Sequence, residues 1–532
     1  MRTTRMFGAA LMVSAAFTPL AGAEPLVLWA DGQVRCSVVL PDGDKESARI
    51  AQDTLSRYLR VFYDLELPKA GKGDKLAVAL VIGTPENNPE LAHLVADGLR
   101  LTTEDLGEEG FQIVTHQKNG RESIVIYGQT PRAVKHGCQE LLFFRVSATA
   151  RRGQMGWPLN VVMKPQLAYR GIYMLPCWSA YDSIDSWKRV LQFNSELTLN
   201  RNWFWLDGFP VAGHPASAHG TDYHFQRTPL ASDENVQSLI DLVNREAMKF
   251  YIGGGWMSWH HWEVVGRDRE KARQYYFDYL RKFKGVAGFY FEPTGEGEER
   301  ADWLPGDSLA EMIRSLLERD PNFEVAVAIG RFNNKDYLKL MSELDPKRVF
   351  WWWCWGDPLA DKATELYPSV LGWHTTVRMS DIHGTVAPPS ASELELVGMS
   401  TSYDPGMGFG NPWNGWARMG VYEPRDFDPY TMPYFSHEYK FRERCWNPTI
   451  SDEDFARRLN VRLFDADMPA RSISLYLQLA DLCFGPQNAT AEFLAEAEAF
   501  VRQHEKHGTP RNMDTISRMA EAVRGLRKVT GK

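Results

Sequence analysis

The spacing of apolar positions divides the chain near residue 166. Before that point the signals are mixed. Leu26 to Leu40 alternates as strands do, and Lys45 to Tyr63 then takes helical spacing, with Ile50, Leu55, Leu59 and Phe62 on its apolar side. Leu76 to Ile82 is an aliphatic, β-branched run ending in Gly83-Thr-Pro, the pattern of a buried strand and its turn. Gly110–Thr115 and Ser123–Tyr127 flank Lys118-Asn119-Gly120, a hairpin signal, and Pro131 stands in the first turn of a helix over Thr130 to Phe144. Residues 24 to 150 thus predict a small α+β domain. Arg151 to Pro165, rich in Gly, Pro and charge, reads as a linker.

From Gln166 onward strand-like and helix-like runs alternate. The strand-like runs are Tyr169–Met174, Arg201–Leu206, Lys249–Ile252, Val286–Phe291, Glu324–Ile329, Val349–Trp353, Val370–Trp373 and Glu395–Met399. Helical stretches at Ile184–Ser195, Val236–Ala247, Asp268–Phe283, Ser308–Glu318 and Lys335–Glu343 lie between many of them. Eight strand–helix units over about 250 residues predict a TIM (β/α)8 barrel over 166–436. A doubly wound open sheet is disfavoured, because no G-x-G-x-x-G turn follows the first strand. From His437 to Lys532 the pattern is mostly helical, with Ala and Leu periodicity from Asp452. The fold class is therefore α/β: an α+β domain, a barrel and a helical C-terminal extension.

Composition narrows the partners. The net charge of −8 argues against nucleic acid as a partner, and no basic stretch suits an anionic membrane surface. Met1-Arg-Thr-Thr-Arg5 is followed by the apolar, small-residue run Met6–Leu20 and then Ala21-Gly22-Ala23, the three parts of a signal peptide. The mature chain is expected to begin near Glu24, outside the cytoplasm, in the periplasm or beyond the cell, with no later membrane insertion. Cys36, Cys138, Cys177, Cys354, Cys445 and Cys483 are scattered without zinc spacing, and their pairing is left open. His214, His219 and His224 lie five apart around Asp222, a spacing that matches no helical ligand pair, so that loop is read as shaping a cleft. Neither metal nor cofactor is expected. Asn488-Ala-Thr490 is a glycosylation sequon, meaningful only in a eukaryotic secretory host.

The chemistry centres on Phe289-Tyr-Phe-Glu-Pro-Thr-Gly-Glu-Gly-Glu-Glu-Arg300. A buried strand there runs into an acidic loop, and in a barrel the loops after the strands collect catalytic side chains. Carboxylates against an aromatic wall are the material of glycoside hydrolysis, in which one acid protonates the leaving oxygen and a second carboxylate attacks or activates water. Glu296 or Glu298 is the candidate acid, with Glu292 a possible buried partner that tunes it. Asp357, which closes Phe350-Trp-Trp-Trp-Cys-Trp-Gly-Asp357, is the first choice for the second carboxylate, with Asp381 and Asp404 in reserve. The 18 tryptophans suit a protein that stacks on sugar rings. Trp203, Trp205, Trp259, Trp353, Trp355 and Trp373 sit at or beyond strand ends. Arg170, Arg331 and Arg378 could make bidentate contacts to hydroxyls or a uronic carboxylate. His260, His261 and His374 could bond hydroxyls or assist proton transfer.

Several motifs are similar to known glycosidases. Gly110-Phe-Gln-Ile113, with Tyr127-Gly-Gln-Thr-Pro-Arg132 and its helix, resembles the small domain before the barrel in family 20 β-N-acetylhexosaminidases, family 67 α-glucuronidases and family 84 enzymes. Tyr169-Arg170-Gly171 resembles the first barrel strand of family 20, which implies that Arg170 binds sugar hydroxyls. Leu199-Asn-Arg-Asn-Trp-Phe-Trp-Leu-Asp207-Gly-Phe-Pro210 is similar to that family's second strand and implies a substrate-side role for Asp207. Arg442-Glu-Arg-Cys-Trp-Asn-Pro448 looks like its post-barrel segment. Where family 20 carries an adjacent Asp-Glu pair, this chain has Glu296-Gly-Glu298-Glu299, a layout closer to family 67. The expectation is an exported glycoside hydrolase acting on a carbohydrate, of family 67-like or family 20-like activity. The alternative is a carbohydrate-binding protein that kept the barrel and lost the acid. Sugar, linkage, stereochemical outcome and oligomeric state are not encoded legibly.

Overall fold

The computed structural model describes residues 24–67, 76, 78–118, 120–174, 184–205, 232–254, 281–291, 306–329, 343–345, 347–353, 370–373, 398–403 and 429–532. The expected signal peptide lies outside the described residues. The chain forms two compact units, Met1–Lys164 and Pro165–Lys532.

The first unit contains two sheets. Strands β1 (Leu26–Ala30), β2 (Gln33–Val34), β7 (Val146–Ala148) and β8 (Arg152–Met155) form one, in the order β2-β1-β8-β7. Strands β3 (Cys36–Val39), β4 (Val78–Gly83), β5 (Phe111–Lys118), β6 (Arg121–Tyr127) and β9 (Asn160–Met163) form the other, in the order β3-β4-β6-β5-β9. The Lys118-Asn-Gly signal produces the β5–β6 hairpin, with Lys118 opposite Arg121. The helix Lys45–Tyr63 starts where the Asp44 side chain accepts from the Glu46 and Ser47 amides, two donors the first helical turn would otherwise leave unpaired. Thr130 caps the helix Pro131–Glu140 by accepting from the Ala133 amide. The chain then widens into a π-turn, Leu141–Arg145, in place of the α-helix expected to Phe144. The stretch expected as a linker is corrected: it supplies β8, which pairs with β1 and β7, and β9, which pairs with β5. Its Gly and Pro residues mark turns between short strands, a pattern that composition alone cannot separate from a linker.

The second unit is built on eight parallel strands: β10 (Tyr169–Met174), β11 (Arg201–Trp205), β12 (Lys249–Gly254), β13 (Gly288–Phe291), β14 (Glu324–Ile329), β15 (Val349–Trp353), β16 (Val370–Trp373) and β17 (Gly398–Tyr403). Each pairs with the next, and β17 pairs in turn with β10, so they form a barrel. Among the described residues, helices Ile184–Glu196, Asp233–Arg245 and Gly306–Arg319 lie between successive strands, as parallel pairing requires. The last strand begins three residues later than its expected start at Glu395.

Beyond the barrel run the helices Met432–Trp446, Asp452–Leu463, Arg471–Phe484, Ala491–His504 and Pro510–Thr530. No described helix is long and apolar enough to cross a membrane. The described cysteines, Cys36, Cys138, Cys445 and Cys483, are buried free thiols.

Candidate functional site

Because the eight strands are parallel, all of them end on one side of the barrel, at Met174, Trp205, Gly254, Phe291, Ile329, Trp353, Trp373 and Tyr403. Nearly every residue singled out from sequence follows one of those ends. Trp205 is the last residue of β11, in register with Gly253, and Trp373 is the last of β16, in register with Ser400. Asp207, His260, Glu296, Glu298, Arg331, Trp355, Asp357, His374 and Asp404 lie outside the described residues. No group of three or more metal-ligating side chains occurs among the described residues.

On the opposite side of the barrel the starts of β10 to β15 are described, and among these described residues the interior is filled. Side chains alternate along a strand, so a residue known to point inward sets the parity of its neighbours. Arg201 lies over the Tyr169 ring at 3.7 Å and 5.4 Å from that of Phe350, which places all three inside. Trp203 then also faces inward, stacked on Tyr251 at 5.5 Å between ring centroids. Glu324 completes the group. Its Oε2 accepts from Arg201 Nη2 at 3.2 Å and from the Tyr251 hydroxyl, and its Oε1 accepts from Lys249 Nζ. Burial pushes the Glu324 carboxyl up, but the charges of Arg201 and Lys249 outweigh it and hold the group below its ordinary range. Burial pushes the Tyr251 phenol well above its usual value.

These groups open their strands: Arg201 is the first residue of β11, Lys249 of β12 and Glu324 of β14. Polar residues at the amino-terminal end of a barrel serve stability, while those at the carboxyl end serve chemistry. Sequence reasoning passed over this cluster. Its signal was a charged residue heading three otherwise apolar strands.

Arg170 requires a correction. It was expected to contact substrate, yet it is fully buried and its guanidinium points toward the strand starts. Nε and Nη2 donate to the Thr198 carbonyl at 3.1 and 2.8 Å, and Nη1 donates to the Leu167 and Ala168 carbonyls at 2.8 and 3.2 Å. The reason is parity: Tyr169 faces the barrel interior, so Arg170 faces outward, toward Trp446. Thr198, whose φ of 55° is unusual for a β-branched residue, is held there by those bonds and by its hydroxyl, which accepts from Trp446 Nε1 at 2.6 Å.

No protein-family model and no curated protein matches the sequence. Solved structures do match in fold. A family 20 exo-β-N-acetylglucosaminidase from Vibrio harveyi, solved with N-acetylglucosamine, aligns with a TM-score of 0.53 at 12% identity, covering 83% of this chain and 74% of its own. A Flavobacterium johnsoniae chitobiase aligns at 0.52 and 12%, covering 94% and 80%. A Streptomyces plicatus N-acetyl-β-hexosaminidase aligns at 0.52 and 11%, covering 84% and 92%. At such identities the shared property is the fold: an N-terminal domain followed by a barrel of the kind found in family 20 glycoside hydrolases.

Proposed function

We propose that the chain is an exported glycoside hydrolase with a TIM (β/α)8 catalytic barrel, whose active site lies at the carboxyl ends of the eight strands. The observation that carries the reading is the fold match to family 20 enzymes over most of the chain, joined to an acidic loop that follows β13 in sequence. In the reaction, Glu296 or Glu298 gives its proton to the glycosidic oxygen as the bond to the anomeric carbon breaks. Asp357 either attacks that carbon or takes a proton from the water that does. Trp205, Trp355 and Trp373 supply apolar faces for sugar rings, and Asp207, His260, Arg331, His374 and Asp404 supply hydrogen bonds to hydroxyls. The sequence Glu296-Gly-Glu298-Glu299 in place of an adjacent Asp-Glu pair favours a substrate in which no acetamido group is positioned for attack, such as a glucuronide.

The test is a panel of aryl hexosaminides, glucuronides and hexosides with natural oligosaccharides, repeated with Glu296→Gln and Glu298→Gln. One substitution is expected to lower kcat about 10²–10⁴-fold with ligand affinity retained. Binding of an oligosaccharide without turnover of any panel member would replace the hydrolase with a binding protein. Sequencing the amino terminus of the exported chain should find Glu24 first.

A further inference from the structure

The filled half of the barrel contains a buried carboxylate that no step of the proposed hydrolysis uses. Glu324 opens β14, but its donors come from β11 and β12: Arg201 from the first, Lys249 and Tyr251 from the second. Strand β13 lies between β12 and β14. Tyr251 reaches across β13 because its neighbour in register there is Gly288. A Cβ at that position would stand 2.6 Å from Tyr251 Cδ1 and 2.2 Å from the Glu324 carbonyl oxygen, so any larger residue would push the ring away from its partner.

Tyr251 in turn stacks on Trp203, with 30° between the ring planes. Trp203 crosses to β10 above Gly171, where a Cβ would lie 1.4 Å from Cζ3 of the indole. Two glycines therefore make room for a continuous path from Glu324 through Tyr251 to Trp203. The path ends two residues before the last residue of β11, Trp205, about 7 Å along the strand. A phenylalanine at 251 would fill the same space. What the hydroxyl adds is a fixed height along the barrel, since the carboxylate that receives it is itself held by two cations. Close-packed interiors pass such displacements to their neighbours, and a shift of about 1 Å in a reacting group costs up to about 10²-fold in rate.

We propose that Glu324 is a positioning residue of the proposed active site: acting through Tyr251, it sets the level of Trp203, the inward-facing indole two residues before the carboxyl end of β11. The kinetic consequence depends on the hydrolase reading; the mechanical link does not.

The test uses the mature full-length chain carrying Glu324→Gln, Tyr251→Phe, or both. Glutamine keeps the size and an acceptor, and phenylalanine keeps the ring. The near-ultraviolet circular dichroism of Trp203 is isolated by difference from Trp203→Phe. Each single variant is expected to change that band and to lower kcat about tenfold on the substrate found by the glycoside panel, with KM moved less than about twofold. The double variant is expected to be no worse than Tyr251→Phe alone, because both act on one path. An unchanged Trp203 band, additive losses, or kcat and KM retained per folded molecule beside a lowered Tm would each overturn the proposal. If Glu324→Gln does not fold, Tyr251→Phe, which removes one hydroxyl, decides by the same readouts. If the unaltered chain cleaves no glycoside, the hydrolase reading falls, and the Trp203 band still decides whether Glu324 sets that indole.

Discussion

Arg201, Lys249 and Glu324 bring two cations and one carboxylate to the base of the barrel, and the arrangement makes stability depend on acid. Arg201 faces Glu324 from β11, Lys249 and Tyr251 face it from β12, and together they keep its folded pKa below the ordinary glutamate value. A group with a depressed folded pKa contributes stability that is complete above the unfolded value and is lost as pH falls through the folded one. The urea midpoint of the unaltered chain should therefore decline below about pH 4.5, and Glu324→Gln should flatten that part of the curve. Parallel curves between pH 6 and pH 3 for the two proteins would refute this. Legibility at this scale depended on which face of a strand a residue occupies. Arg170 was drawn toward substrate by its motif, Tyr169-Arg170-Gly171, while the alternation of the same three residues turns its guanidinium to the Thr198, Leu167 and Ala168 carbonyls. Motif similarity carries residue identity; direction comes from parity.

The barrel strands are set by close packing against their glycines as much as by apolar runs, and Gly171, met by the Trp203 indole, is the sharpest case. Gly171→Ala should overpack the interior against Trp203 and destabilise the protein by about 3 kcal/mol or more. Trp203→Phe removes the indole atoms that the new methyl would strike, so the double variant should regain much of the lost Tm. Chemical denaturation of the four proteins checks this, and equal losses in Gly171→Ala and the double variant would exclude the clash as the cause. Elements of this kind were legible where their pattern was unbroken. β10, β14, β15 and β16 occupy the spans that apolar runs predicted, and the helix Lys45–Tyr63 does as well, because an N-cap and a single apolar face agree there. The misread elements are those in which local chemistry is ambiguous. Short strands between Gly and Pro turns at 152–163 looked like a linker, and β17 (Gly398–Tyr403) is polar enough that the preceding Glu395–Met399 run drew the assignment to itself.

At the scale of the whole second unit, the C-terminal helices are part of the barrel's structure. Leu167 N donates to the Cys445 carbonyl at 3.1 Å just before β10 begins, and Trp446 bonds Thr198 just before β11. Glu196, at the end of the helix Ile184–Glu196, accepts from Arg462 Nη2 at 2.9 Å and from the Tyr430 hydroxyl at 3.0 Å. Helices in such a unit run opposite to the strands, so all these contacts fall on the amino-terminal side, away from the strand ends to which the chemistry is assigned. Arg462 and Glu196 are both buried, and removing one member of a buried pair leaves the other charge without compensation. Arg462→Ala should therefore cost about 3–5 kcal/mol and lower Tm by several degrees, while KM on folded protein stays unchanged. Combining Arg462→Met with Glu196→Gln should recover most of that loss, since no buried charge is then left over. Calorimetry on the single and double variants distinguishes the outcomes. A single variant as stable as the unaltered chain would mean that the helices add nothing to the barrel through this pair. A changed KM at unchanged Tm would move Arg462 from the support of the fold to the site itself.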